Sequence, residues 1–259
     1  MTRWIPAFLI AMLLTAAAHA GNFKVLIARG DARDQEAALL EQFTKVGPHT
    51  FEFTTVLHEG GVFDPANLEG MDIVWFPWNG PGHDGNYFMG GAEEAFRNWV
   101  AEGHAVWISA FDDNYTDQNG KQIGGWFPID EYPDVIVQNT GDAEVEITDE
   151  GKASGLFSEP NDIDTSALVL DDNWANLPDD FVVLAIRQDN NQPAAWYLEW
   201  NGGLYVEFCI DTRDAARAAA AEPLLENGLL FLGNWMETTL AVSPSGKAAT
   251  TWGALKAAR

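Results

Sequence analysis

Cysteine is all but missing from this chain: its 259 residues hold one, Cys209, which excludes an internal disulfide. Basic residues are scarce as well, 14 Lys and Arg against 39 Asp and Glu, for a net charge of −25. A chain so acidic is repelled by nucleic acid and by anionic membrane surfaces, so no nucleic-acid partner is expected. Past the first twenty residues no apolar run approaches the roughly 20 residues that span a bilayer, and no transmembrane segment is expected in the mature chain. His49, His58 and His104 lack the spacing of metal ligands.

What is present begins with a leader. Arg3 gives a small positive start, Ile5–Ala18 is apolar, and Ala18-His19-Ala20 reads as a cleavage site before Gly21. Residues 1–20 are thus expected to be a cleavable signal peptide and the mature chain to be secreted or periplasmic. Residues 21–240 suit one α/β domain, and a hydrophobic fraction of 47% gives it an ordinary core. Residues 241–259 form a small, polar, basic tail, expected to be loosely attached. The acidity reads as solubility in a salty or extracellular setting, or as carboxylates gathered for Ca²⁺.

The most informative stretch is Ala105–Asp117, AVWISAFDDNYTD, an apolar run that stops at Asp112-Asp113-Asn114. Such a run fits a strand buried on both faces, and its polar end belongs where the strand leaves the core. Val25–Ala28, Thr50–Leu57 and Met71–Phe76 read as further strands, and the β-α-β-β opening implies a parallel sheet. The first helix is read from Leu39, Leu40, Phe43 and Val46 and stopped by Gly47-Pro48. A second, amphipathic helix places Ala92, Ala95, Phe96, Trp99 and Val100 on one face. Ala143–Thr148 alternates as an exposed strand. Phe181–Ile186, Ala194–Trp200 and Gly203–Ile210 read as a meander of strands. Thr212–Ala221 is helical, with Pro223 opening a further helix through Trp235. The expected class is α/β, flavodoxin-like, with a three-layer α/β/α core, a mainly parallel central sheet and a β-rich extension.

The segments KVLIARG, MDIVWFPW, FRNWVAEGHAVWISA, EVEITDEGKASGLF and VVLAIRQDNNQPAAWYLEWNGGLYVEF, closed by PLLENGLLFLGNW, resemble in order the ThuA-like (trehalose utilisation) family of the class I glutamine amidotransferase-like fold. The resemblance covers most of Phe23–Trp235. Amidotransferases of that fold carry a catalytic cysteine in a Gly-x-Cys-x-Gly elbow after the central strand, where this chain has Ile108-Ser109-Ala110-Phe111. ThuA-like proteins carry a histidine near there and a Gly-His pair after the last strand. Ser109 and Ile210-Asp211 stand in those places, so the family's chemistry does not carry over.

If the sheet is parallel, four loops meet at its carboxyl end, where ligands bind in open α/β sheets. The candidate ligand-binding residues there are Trp78, His83, Asp84, Asp112, Asp113, Asn114, Asp211 and Arg213. Aromatic faces with carboxylates and amides suit a sugar or other small-molecule or glycan ligand; the same acids would equally serve as helix and turn caps. Paired carboxylates, Asp112 or Asp113 with Asp211, would suit a hydrolase if their separation allowed it, with His83 as an alternative base. Asp112, Asn114, Asp117 and Asn119 recur at alternate positions, a pattern open to Ca²⁺ or to an Asx-rich turn, but Tyr115 and Trp126 exclude an EF-hand. No other cofactor is indicated. Cys209 reads as an inert buried thiol, Ser109 as packing, and Trp75, Trp107, Trp196 and Trp235 as core. A non-catalytic interaction module of the cell envelope or extracellular space is the alternative function, and the oligomeric state is left open.

Overall fold

The structure, a computed structural model, describes residues 20–29, 35–57, 63–78, 92–109, 127–128, 131–132, 134–138 and 140–242. Residues 1–19, which hold most of the expected signal peptide, and most of the tail lie outside them.

The element order is β1 (Asn22–Arg29), α1 (Glu36–Leu40), β2 (Lys45–Val46), β3 (His49–Leu57), β4 (Ile73–Phe76), α2 (Ala92–Ala101), β5 (Ala105–Ile108), β6 (Ile136–Gln138), β7 (Val145–Ile147), α3 (Asp149–Ala153), β8 (Asn173–Ala175), β9 (Val182–Arg187), β10 (Pro193–Trp200), β11 (Gly203–Phe208) and α4 (Ala215–Val242). This is a mixed α/β fold built on a nine-stranded sheet in the order β2-β3-β1-β4-β5-β11-β10-β9-β7. Its middle, β3-β1-β4-β5-β11, is parallel throughout. Those five strands, numbered among themselves along the chain, run 2-1-3-4-5. β10, β9 and β7 extend the sheet antiparallel, and β2 closes its other edge antiparallel to β3.

Ile73–Phe76 and Ala105–Ile108 are buried at every position because helices cover both faces. Neighbouring residues of a strand point to opposite faces. Phe76 meets Phe96 of α2 at 5.7 Å between ring centroids, while Trp75 stacks on Trp107 at 4.6 Å against α4. There α4 presents Gly228, where a Cβ would come within about 3 Å of both indoles. The missing side chain lets the helix lie directly on the two tryptophans.

Two expectations are corrected. The first helix stops at Leu40, and Val46 belongs to β2, because Gly47, with φ +55°, turns the chain into a hairpin with β3. Pro223 sits inside one continuous helix instead of starting a second. The buried stripe of Leu224, Leu225, Leu229 and Leu232 on the sheet outweighs the hydrogen bond that proline removes. A two-stranded sheet of β6 and β8 also forms where the sequence shows no clear strand. Among the described residues, no helix is long and apolar enough to cross a membrane.

Candidate functional site

The parallel order reverses between β1 and β4: the chain leaves β1 for β3 on one side, then returns to β4 on the other. At such switch points the carboxyl ends diverge and leave a crevice. Glu36, at the start of α1, reaches into this place and is fully buried. Its carboxylate accepts from Trp75 Nε1 at 2.7 Å, from the backbone N–H of Trp78 at 3.3 Å and from Thr212 Oγ1 at 2.8 Å. It also accepts from the hydroxyl of Ser109. Ser109 in turn accepts from Trp107 Nε1 at 3.0 Å. One carboxylate thereby ties the ends of β4, β5 and β11 to α1. Buried acids need such partners to persist.

Ser109 stands where the amidotransferase elbow would carry its cysteine. Its hydroxyl is buried and held by Glu36 and Trp107, its hydrogen-bond partners among the described residues. That arrangement holds the strand ends in place.

Outside this knot lies a charged rim. Leu170 bridges Ala143 on one side and Ile210 on the other, so three extended segments run side by side beyond β11. Asp171 N donates to Cys209 O and Asp211 N to Val169 O. The register brings Asp142, Asp171 and Asp211 together, each offering an oxygen within 4.8 Å of the others. Such a set would suit a divalent cation, but guanidiniums take that place. Arg213 Nε lies 2.6 Å from Asp211 and its Nη2 3.0 Å from Asp171. Arg217 pairs with Asp211 and, at 2.9 Å, with Asp142. Arg213 also lies over the Trp78 ring, 5.0 Å from its centroid, and Trp78 Nε1 donates to Asp171 at 3.3 Å. Behind the rim, buried Arg187 donates to the carbonyls of Asp171 and Gly141 and to the carboxylate of Asp189.

Of the residues singled out by sequence, Trp78, Asp211 and Arg213 meet here. His83, Asp84, Asp112, Asp113 and Asn114, together with the Asp117–Asn119 part of the calcium pattern, lie outside the described residues. Ser109, three positions before Asp112, leaves β5 at this same edge and shares Glu36 with Thr212. Glu36, Asp142, Asp171 and Arg217 escaped sequence reasoning. Glu36 did leave a signal: it falls at i, i+4 and i+7 with Leu40 and Phe43, on the apolar side of its helix, where a charge needs an explanation.

Beneath the rim, Glu207 of β11 and Cys209 just after it are buried, with the thiol 3.4 Å from Glu207 Oε1. Burial pushes the thiol well up, and the Glu207 charge adds to the effect, so Cys209 is inert. Burial likewise pushes the Glu207 carboxyl well above its usual value, only partly offset by Cys209 and Trp174. Its folded value exceeds its unfolded one, so the fold keeps a proton that the unfolded chain releases. Stability therefore falls as pH rises above the unfolded value. Glu207→Gln, neutral at every pH, is expected to remove this fall. Above the unfolded value its stability should decline less steeply with pH than that of the wild type, the difference in slope being at most about 1.4 kcal/mol per pH unit. Urea unfolding at several pH values reads this directly, and parallel slopes would refute it.

These features define a mixed α/β protein with a polar site at the carboxyl edge of its sheet and a buried serine at the end of β5. No family model matches the chain, and no curated protein matches it. Among solved structures it is similar to a cytoplasmic protein of Salmonella typhimurium LT2, STM1381, with a TM-score of 0.51 at 12% identity over 83% of this chain and 99% of that one. A second cytoplasmic protein of Salmonella typhimurium, STM3548, gives 0.48 at 13% identity over 81% and 98%. A putative ThuA-like protein from Parabacteroides merdae gives 0.49 at 11% over 82% and 90%. The likeness to STM1381 is one of fold.

Proposed function

We propose that this chain is an exported binding protein for a carbohydrate-like, polyhydroxylated ligand taken up at the carboxyl edge of the sheet, with no amidotransferase chemistry. The reading rests on one observation: Trp78, Arg213 and Asp171 form a partly exposed triad in which an indole, a guanidinium fork and a carboxylate touch one another. A sugar offers C–H faces for the indole and hydroxyls for the fork and the carboxylate. The finer fold assignment, a flavodoxin-like three-layer core, is supported by the 2-1-3-4-5 order of the parallel strands. Export is supported by the N-terminal charge, apolar run and cleavage pattern.

Binding without hydrolysis is supported by the state of Asp211. Asp211 is buried and neutralised by two arginines, an unfavourable setting for a general acid or base. That same self-satisfied rim favours the second reading, a non-catalytic interaction module of the envelope or extracellular space.

Glycan-array binding followed by calorimetry, with and without Ca²⁺, separates the two. A glycan should bind the wild type, and Trp78→Ala and Arg213→Ala should each weaken it at least tenfold, about 1.4 kcal/mol. Absence of any glycan ligand, or variants that bind as the wild type does, would leave the interaction module standing.

A further inference from the structure

A second cavity, away from the strand ends, lies between α4 and β10, with a volume of about 270 Å³. Tyr197, Phe231 and Trp235 line it, and the first two rings stand 5.8 Å apart at an interplanar angle of 49°. Glu199 accepts from Trp235 Nε1 at 2.9 Å, which fixes the indole and sets a carboxylate beside the rings. Glu159 supplies another carboxylate, and among the described residues no Lys, Arg or His lines the cavity. Both amide hydrogens of Asn227 are spent on the carbonyls of Leu156 and Asn161, each at 2.8 Å.

We infer that this cavity is a binding site for a small organic cation carrying a quaternary ammonium headgroup. Three aromatic faces attract such a cation through their negative quadrupoles, and two carboxylates add charge of the matching sign. A free carboxylate or phosphate is excluded by the same two acids. The volume falls just below the roughly 300–1,000 Å³ range of ligand pockets, enough for a headgroup and too little for an oligosaccharide. The site shares no residue with the Trp78–Arg213 rim and stands whether or not that rim binds a glycan.

The test is a calorimetric titration of the whole mature chain with choline and with 3,3-dimethyl-1-butanol, its uncharged isostere. Choline should bind at least fivefold more tightly than the isostere. Glu199→Gln should remove most of that difference, and Phe231→Ala should weaken choline at least fivefold. Both variants of the cavity change partly exposed or exposed side chains, and circular dichroism confirms their folding. Equal affinity for choline and its isostere, no choline binding, or indifference to both cavity variants would overturn the assignment.

Discussion

Replacing Glu36 by alanine is expected to cost the fold about 3–5 kcal/mol, a fifth or more of the roughly 5–15 kcal/mol that holds a domain together. The carboxylate serves four donors at once: the Trp75 indole, the Ser109 and Thr212 hydroxyls and the Trp78 backbone. Alanine would strand the Trp75 N–H and the hydroxyls in a buried place, each at about 1–3 kcal/mol, with some relief as the hydroxyls turn. Glu36→Gln keeps one carbonyl acceptor and should lose about half as much. Urea unfolding measures both. An alanine variant within 1 kcal/mol of the wild type would show that the ends of β4, β5 and β11 are held some other way.

Arg187→Met should cost about 3 kcal/mol by the same measurement. The guanidinium is buried, while its Asp189 partner is about half exposed. Once the arginine is gone, Asp189 can turn to water at little cost. The carbonyls of Asp171 and Gly141 cannot, and their lost charge-assisted bonds carry the penalty. Arg187→Lys should recover little, since an ammonium cannot fork to two carbonyls and a carboxylate together. A second readout locates the effect. The Arg187 hydrogen bond holds the Asp189 carboxyl below its usual value, and in the methionine variant an NMR titration should find it raised. An unchanged Asp189 titration or a loss below 1 kcal/mol would contradict this account.

The parallel half of the fold was legible because burial on both faces writes itself as uninterrupted apolar runs. IVWF and AVWI sit in the sheet as read, and Trp75, Trp107 and Trp196 are core. Trp235 is different: it packs only partly and lines the cation cavity. Val46 and Pro223 misled for one reason. Periodicity and proline are local signals, and the hairpin to β3 and the seat of α4 on the sheet are decided by partners far along the chain. The candidate site was legible in part. Trp78, Asp211 and Arg213 follow strand ends, where the carboxyl-edge rule points. Asp171 and Asp142 reach the site through the Leu170 bridges, and Arg217 from the first turn of a helix, none of which sequence spacing encodes.

The sheet also ends in a particular way. Its outermost strands are two and three residues long, and they carry Lys45 on one border and Glu146 on the other. Open hydrogen-bonding borders recruit further chains when they are long and uncharged. Here a would-be neighbour finds too little ladder to grip and a charge in the way, so neither border of the nine-stranded layer invites a further strand.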